Sequence, residues 1–195
     1  VHRSNLPQIR ANLADEDTLE LAKAFGVPVI INANIRDGSL RQSAAELGTK
    51  VLLYEAGEAL RFDELSIKVG LKGVLNVMHQ MGMIKMRSRV GSDLTPFLSK
   101  SSSWIRANAS GFVTDKKQLG DHVKEKDVLA EIGDPFGEKL GVIRAKYSGI
   151  IIGKQNIPLV QEGDAMFHIA YFSEDDDEVA EHIELMQDTL LPDNV

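Results

Sequence analysis

Hydrophobic and polar positions switch between two spacings in the first half of the chain. Asp15-Glu16-Asp17 opens a segment with apolar Leu19, Leu21, Ala22, Ala24 and Phe25, closed by Gly26. Acidic residues at the start and glycine at the end match helix polarity and capping. Val27-Pro28-Val29-Ile30-Ile31 follows as a continuous apolar run, predicting a buried strand. Asp37-Gly38-Ser39 reads as a turn whose serine caps a short helix, Leu40 to Leu47, ended by Gly48. Lys50 to Tyr54 reads as a second buried strand. Asp63 or Glu64 opens a longer helix to about Gly82, with Leu65, Val69, Leu71, Val74, Leu75, Val77 and Met78 at roughly helical spacing. Helix, strand, helix, strand, helix predicts a parallel or mixed sheet covered by helices, the end of an α/β domain.

From about residue 100 the pattern becomes short Val- and Ile-rich runs punctuated by glycines from Gly111 to Gly163, which predicts a small all-β domain. Two stretches echo each other. Gly111-Phe112-Val113, Leu119 to Val123 and Val128 to Ile132 correspond to Gly149-Ile150-Ile151, Val160 to Ala165 and Phe167 to Ala170. This is one hairpin unit used twice, at a period of roughly 40 residues. The polar join from Arg87 to Ser103 is the expected boundary. The expected domains are therefore residues 1–95, α/β, residues 96–172, β, and an acidic tail over 173–195 that forms a helix through Val179, Ile183 and Met186.

The length of 195 residues allows one medium or two small domains, and 43% apolar residues are enough for a core. The net charge of −7 argues against nucleic acid and anionic membrane as partners. Much of it lies in Glu174-Asp175-Asp176-Asp177-Glu178, read as a solvated connection or helix start. With no cysteine there are no disulfides, thiolate ligands or cysteine nucleophile, which fits a cytoplasmic protein. No apolar run is long enough to span a membrane.

Glu55 is the leading candidate for chemistry. It follows Val51-Leu52-Leu53-Tyr54 and precedes Ala56-Gly57-Glu58. A carboxylate at the end of a buried strand, backed by a small residue and a glycine, suits a general base. By itself such a residue is more often an ordinary strand-end carboxylate. Glu58 reads as a helix-start or surface charge. His79, His122, His168 and His182 lack metal-ligand spacing, while His2 is a minor candidate for a metal ligand or a group beside one. Arg3, Arg10, Arg36 and Arg41 could each grip a substrate carboxylate with two hydrogen bonds, or be structural. Trp104 reads as a core or domain-interface anchor.

Arg3 to Ala11, Asp37-Gly38-Ser39-Leu40-Arg41 and Tyr54-Glu55-Ala56-Gly57-Glu58, in this order and followed by the glycine-rich β repeat, resemble the succinylglutamate desuccinylase/aspartoacylase family. That family is related to zinc carboxypeptidases. The resemblance runs from residue 1 to about 172. It implies a zinc-dependent hydrolase that removes an acyl group from a small amino acid or amine, with Glu55 as its base. It also implies zinc ligands in His-x-x-Glu and Asp-x-His motifs, and a substrate-gripping Asn-Arg pair. None of these is present, so the ligands are expected upstream of Val1. The chain alone is then expected to bind no zinc tightly and to be inactive. The β repeat also resembles the barrel-sandwich hybrid fold of biotinyl and lipoyl carriers. Lys139, in Asp134 to Leu140, lacks the methionine or alanine neighbour of a carrier lysine. The alternatives are a non-catalytic binding or assembly module and a carrier domain. Exposed sheet edges would favour homo-oligomers.

Overall fold

The computed structural model describes residues 2–33, 38–85 and 96–171. Arg36, the acidic run, His182, the tail helix and most of the expected join lie outside the described residues. The rest is a mixed α/β fold in which no strand order closes on itself among the described residues. It forms two compact units. One, here the α/β unit, holds 7–33, 38–55, 63–85 and 96–101; the other, the β unit, holds 2–6, 56–62 and 102–171.

In the α/β unit the helices form where the capping signals place them. Helix α1, Glu16–Phe25, starts at Asp15, whose carboxylate accepts from the Thr18 backbone N–H at 2.9 Å. It ends at Gly26 in the left-handed region (φ 84°), which glycine adopts without a Cβ clash. Helix α2, Leu40–Glu46, is capped by Ser39, and α3, Glu64–Gln80, by Asp63. Strand β1, Arg3–Ala11, was not expected, because Pro7, Gln8 and Arg10 interrupt its apolar positions. Its residues 8–11 pair in parallel with β2, Val29–Asn32, and β2 pairs in parallel with β4, Phe97–Ser99.

The second buried strand needs correction. The structure has β3 over Leu53–Glu58, paired with β1, and Lys50 to Leu52 are not in it. Glu55 is therefore inside a strand and not at its end. The apolar run misled because β3 continues through Ala56-Gly57-Glu58, residues that read as a strand stop.

One face of this sheet packs on α1 and α3. Ile9, Ala11 and Ile30 join Ala22 and Phe25 of α1 and Val69 of α3 in one core, with Tyr54 against it. Gly73 lets α3 approach, since a Cβ there would overlap the Phe25 ring.

The β unit contains the repeat. Its first copy gives β6, Gly111–Asp115, β7, His122–Val123, and β8, Val128–Gly133. Strand β9, Lys139–Arg144, follows and pairs with β8. The second copy gives β10, Gly149–Gln155, β11, Leu159–Val160, and β12, Ala165–Tyr171. The copies exchange their short strands. Gly149 pairs opposite Val123, and Gly111 opposite Val160, so β7 joins β10 while β11 joins β6. Leu129, Ile132, Ile143, Ile151, Phe167 and Ile169 form the core between them. Strand β5, Ser102–Arg106, and residues 3–5 of β1 extend the β10–β12 pair.

Candidate active site

Side chains alternate across a strand, and this places the candidate base. Tyr54 faces the helices: its ring lies 5.2 Å from that of Phe25, and its hydroxyl donates to the Ser66 carbonyl at 2.8 Å. Burial, and then the Asp63 charge, push the Tyr54 phenol up, so it stays a neutral donor. Glu55, the next residue, faces away from the helices. On β1 the same alternation puts Ile9 and Ala11 in the helix-facing core and Gln8 and Arg10 on the other face.

Those three polar residues meet. Arg10 Nε donates to Glu55 Oε2 at 2.7 Å, and Gln8 Nε2 donates to the same oxygen at 3.3 Å. Gln8 is 0% exposed, while the side chains of Arg10 and Glu55 are 18% and 35% exposed. One carboxylate oxygen is thus tied to the strand face by two donors, in a side chain that solvent reaches. A fixed, partly open carboxylate can take a proton from a water and return it to a leaving group. Sequence reasoning did not single out Gln8. The signal was there, two residues before Arg10 and so on its face, but it needs β1 to be recognised as a strand.

Arg41 lies in the same unit, on α2. Its Nη1 is 3.5 Å from the Ala33 carbonyl, and it lines a cavity of about 300 Å³ with Asn12, Asp15, Thr18, Thr49 and Lys50. Glu55 is not among the described residues of that lining. Thr18, through its hydroxyl and then its backbone N–H, holds the Asp15 carboxyl below the usual carboxylate range. The hydrogen bond with Asp17 raises the Lys50 ammonium.

Arg3 belongs to the β unit. Its guanidinium lies 4.8 Å from the Trp104 ring centroid, and Trp104 stacks on His168 at 4.7 Å and 14°. Glu58 ends β3 and accepts from Asn156 Nδ2 at 3.0 Å. Lys139 Nζ is 2.5 Å from Glu131 Oε1, and Lys116 Nζ is 3.4 Å from the other oxygen.

Zinc does not fit the described residues. No three or more of their His, Cys, Asp and Glu side chains are grouped to hold a metal. His79 Nδ1 lies 3.1 Å from the Ile84 carbonyl, and His168 Nε2 lies 3.0 Å from Ser102 Oγ. No described helix is long and apolar enough to cross a membrane.

The unit is thus an α/β sheet carrying an anchored carboxylate on the face away from its helices. Residues 2–81 match the model of the succinylglutamate desuccinylase/aspartoacylase catalytic domain, so this part of the chain resembles that family. The family name is that of amide deacylases. Among solved structures the chain resembles the ectoine utilization protein EutE (DoeB) from Ruegeria pomeroyi, with a TM-score of 0.77 and 19% identity. The match covers 87% of this chain and 56% of that one. A succinylglutamate desuccinylase/aspartoacylase from Rhodobacter sphaeroides gives 0.72 and 21%, covering 87% and 55%. A succinylglutamate desuccinylase from a Silicibacter species gives 0.70 and 18%, covering 87% and 54%. At these identities the likeness is one of fold. The chain spans little more than half the length of these structures. No curated protein matches it.

Proposed function

We propose that the chain is part of a zinc-dependent hydrolase that cleaves the amide bond of a small acylated amino acid or amine, with Glu55 as general base. The observation that carries this is the Glu55 carboxylate, held through Oε2 by Arg10 and Gln8 and about one third exposed. In this reading Glu55 accepts a proton from water as the water oxygen bonds to the amide carbonyl carbon. When the C–N bond breaks, Glu55 returns that proton to the departing amine nitrogen. Arg10 keeps the carboxylate in place. Arg41, on the cavity at α2, is the candidate in the same unit for binding a carboxylate of the substrate, and Arg3 is a further candidate. Zinc is proposed for the whole protein only, on ligands other than the described residues. This chain alone is then expected to be inactive.

The proposed division is residues 1–95 as part of the hydrolase domain and 96–172 as a barrel-sandwich hybrid domain, with 173–195 as a tail. The exchanged short strands of the two repeat copies support the second assignment. That domain would act as a cap or assembly element. A cytoplasmic, homo-oligomeric protein completes the proposal.

The test is amine release from N-acetyl-aspartate and N-succinyl-glutamate by the full-length, zinc-supplied protein. Glu55→Gln should lower kcat by about 100-fold or more. Unchanged kcat in that variant would remove Glu55 as base, and no turnover of either compound by the wild type would favour the alternative, a binding or assembly module.

A further inference from the structure

Gln8 is 0% exposed on β1, opposite Val29 of β2, which is equally buried. Its Nε2 donates to Glu55 Oε2, and its Oε1 has no hydrogen-bond partner among the described residues. The amide orientation follows from Glu55, because the reverse would set a carbonyl oxygen against a carboxylate oxygen. A buried acceptor without a donor costs stability, whereas a methionine of similar length would fill the space without that cost. The fold alone gives no reason for this amide.

Asn76 shows the contrast. It too has a buried oxygen without a partner, Oδ1, but its Nδ2 lies 3.4 Å from the Phe25 carbonyl at the end of α1. That contact serves a helix end, where unpaired carbonyls need donors. Gln8 reaches a side chain, and it is the side chain proposed as base.

We infer that Gln8 is a positioning residue for Glu55, retained at a cost to stability. A carboxylate with one donor can swing about that contact. Arg10 Nε and Gln8 Nε2 come from successive same-face positions of one strand and meet on one oxygen. Together they fix the carboxylate plane and leave the direction of Oε1 defined for proton transfer. Residues that orient a reactive group through such bonds typically matter about 10- to 100-fold in activity. The inference rests on Glu55 being the base.

The experiment uses Glu55→Gln and Gln8→Met, each beside wild type. Steady-state kinetics are read on the full-length, zinc-supplied protein with N-acetyl-aspartate and N-succinyl-glutamate, well below the melting range. Thermal melts are read on this chain. Gln8→Met should lower kcat about tenfold, with KM within about twofold of wild type. Its Tm should equal or exceed the wild-type value, since the weak 3.3 Å bond is lost together with the unpaired oxygen. A wild-type kcat in Gln8→Met, with Glu55→Gln inactive, overturns the inference and leaves the base in place. A Tm lowered by more than about 4 °C, roughly the effect of one lost interaction in a chain of this size, makes Gln8 structural and also overturns it. Full activity in Glu55→Gln removes Glu55 as base and overturns this inference with it, whereas no turnover of either compound by wild type overturns the deacylase reading as well.

Discussion

Arg10 Nε lies 2.7 Å from Glu55 Oε2, joining two strands across the face of the sheet turned away from its helices. The contact engages the guanidinium through its inner nitrogen, a donor that lysine cannot place there. Arg10→Lys should therefore fold, at a cost of about 1 kcal/mol for a partly exposed pair. It should lower kcat of the proposed deacylase, read on the full-length protein, about tenfold. Denaturant melts of this chain and amine-release kinetics measure the two effects, and wild-type kcat in Arg10→Lys would deny the pair a role in orienting the base.

Gly73→Ala sets two effects against each other. Alanine in a helix interior gains about 1 kcal/mol over glycine. The new Cβ, however, overlaps the Phe25 ring, which packs in the core between α1 and α3. Overpacking costs about 1–3 kcal/mol. The clash should win, and the variant should unfold at lower denaturant. A higher midpoint would mean that the ring has room to move.

The way these elements arise explains what could be read in advance. Asp15, Ser39 and Asp63 announce the three helices because capping is local chemistry, a side-chain oxygen meeting a backbone N–H three residues on. The β repeat was legible because its glycines mark turns. Strand β1 was not, since Pro7 and the polar Gln8 and Arg10 look wrong for a largely buried strand. Their reason for being there is Glu55, 45 residues downstream of Arg10. Strand β4 has only three residues, between Pro96 and a serine cluster. Glu55 was singled out as a candidate from its local sequence, but its partners require tertiary pairing of β1 with β3, which no local pattern encodes.

The β unit should show an acid-side dependence through Glu131. The hydrogen bond from Lys139, more than the charge of Lys116, holds its carboxyl below the usual carboxylate range. A lowered folded pKa gives stability that is present above the unfolded value, about 4.3 for glutamate. That stability is lost as pH falls through the lower folded value. The Tm gap between wild type and Glu131→Gln should thus be larger at pH 7 than near pH 3. A gap that does not narrow on acidification would show that the ion pair contributes nothing.

Metal content gives a direct check on the donor set. After incubation with zinc and dialysis, this chain should carry far less than one equivalent by atomic absorption, because its described residues group no three ligands. One equivalent would mean that the chain makes a site of its own.

The Arg3–Trp104–His168 stack puts the chain's single tryptophan in the β unit, while α1, α2 and α3 all lie in the α/β unit. Nature has thus given the two units separate optical reporters. Indole emission follows one unit, and the helical ellipticity of the described residues follows the other. Denaturation curves recorded in the two channels would superimpose if the chain unfolds in a single step, and would separate if each unit melts alone.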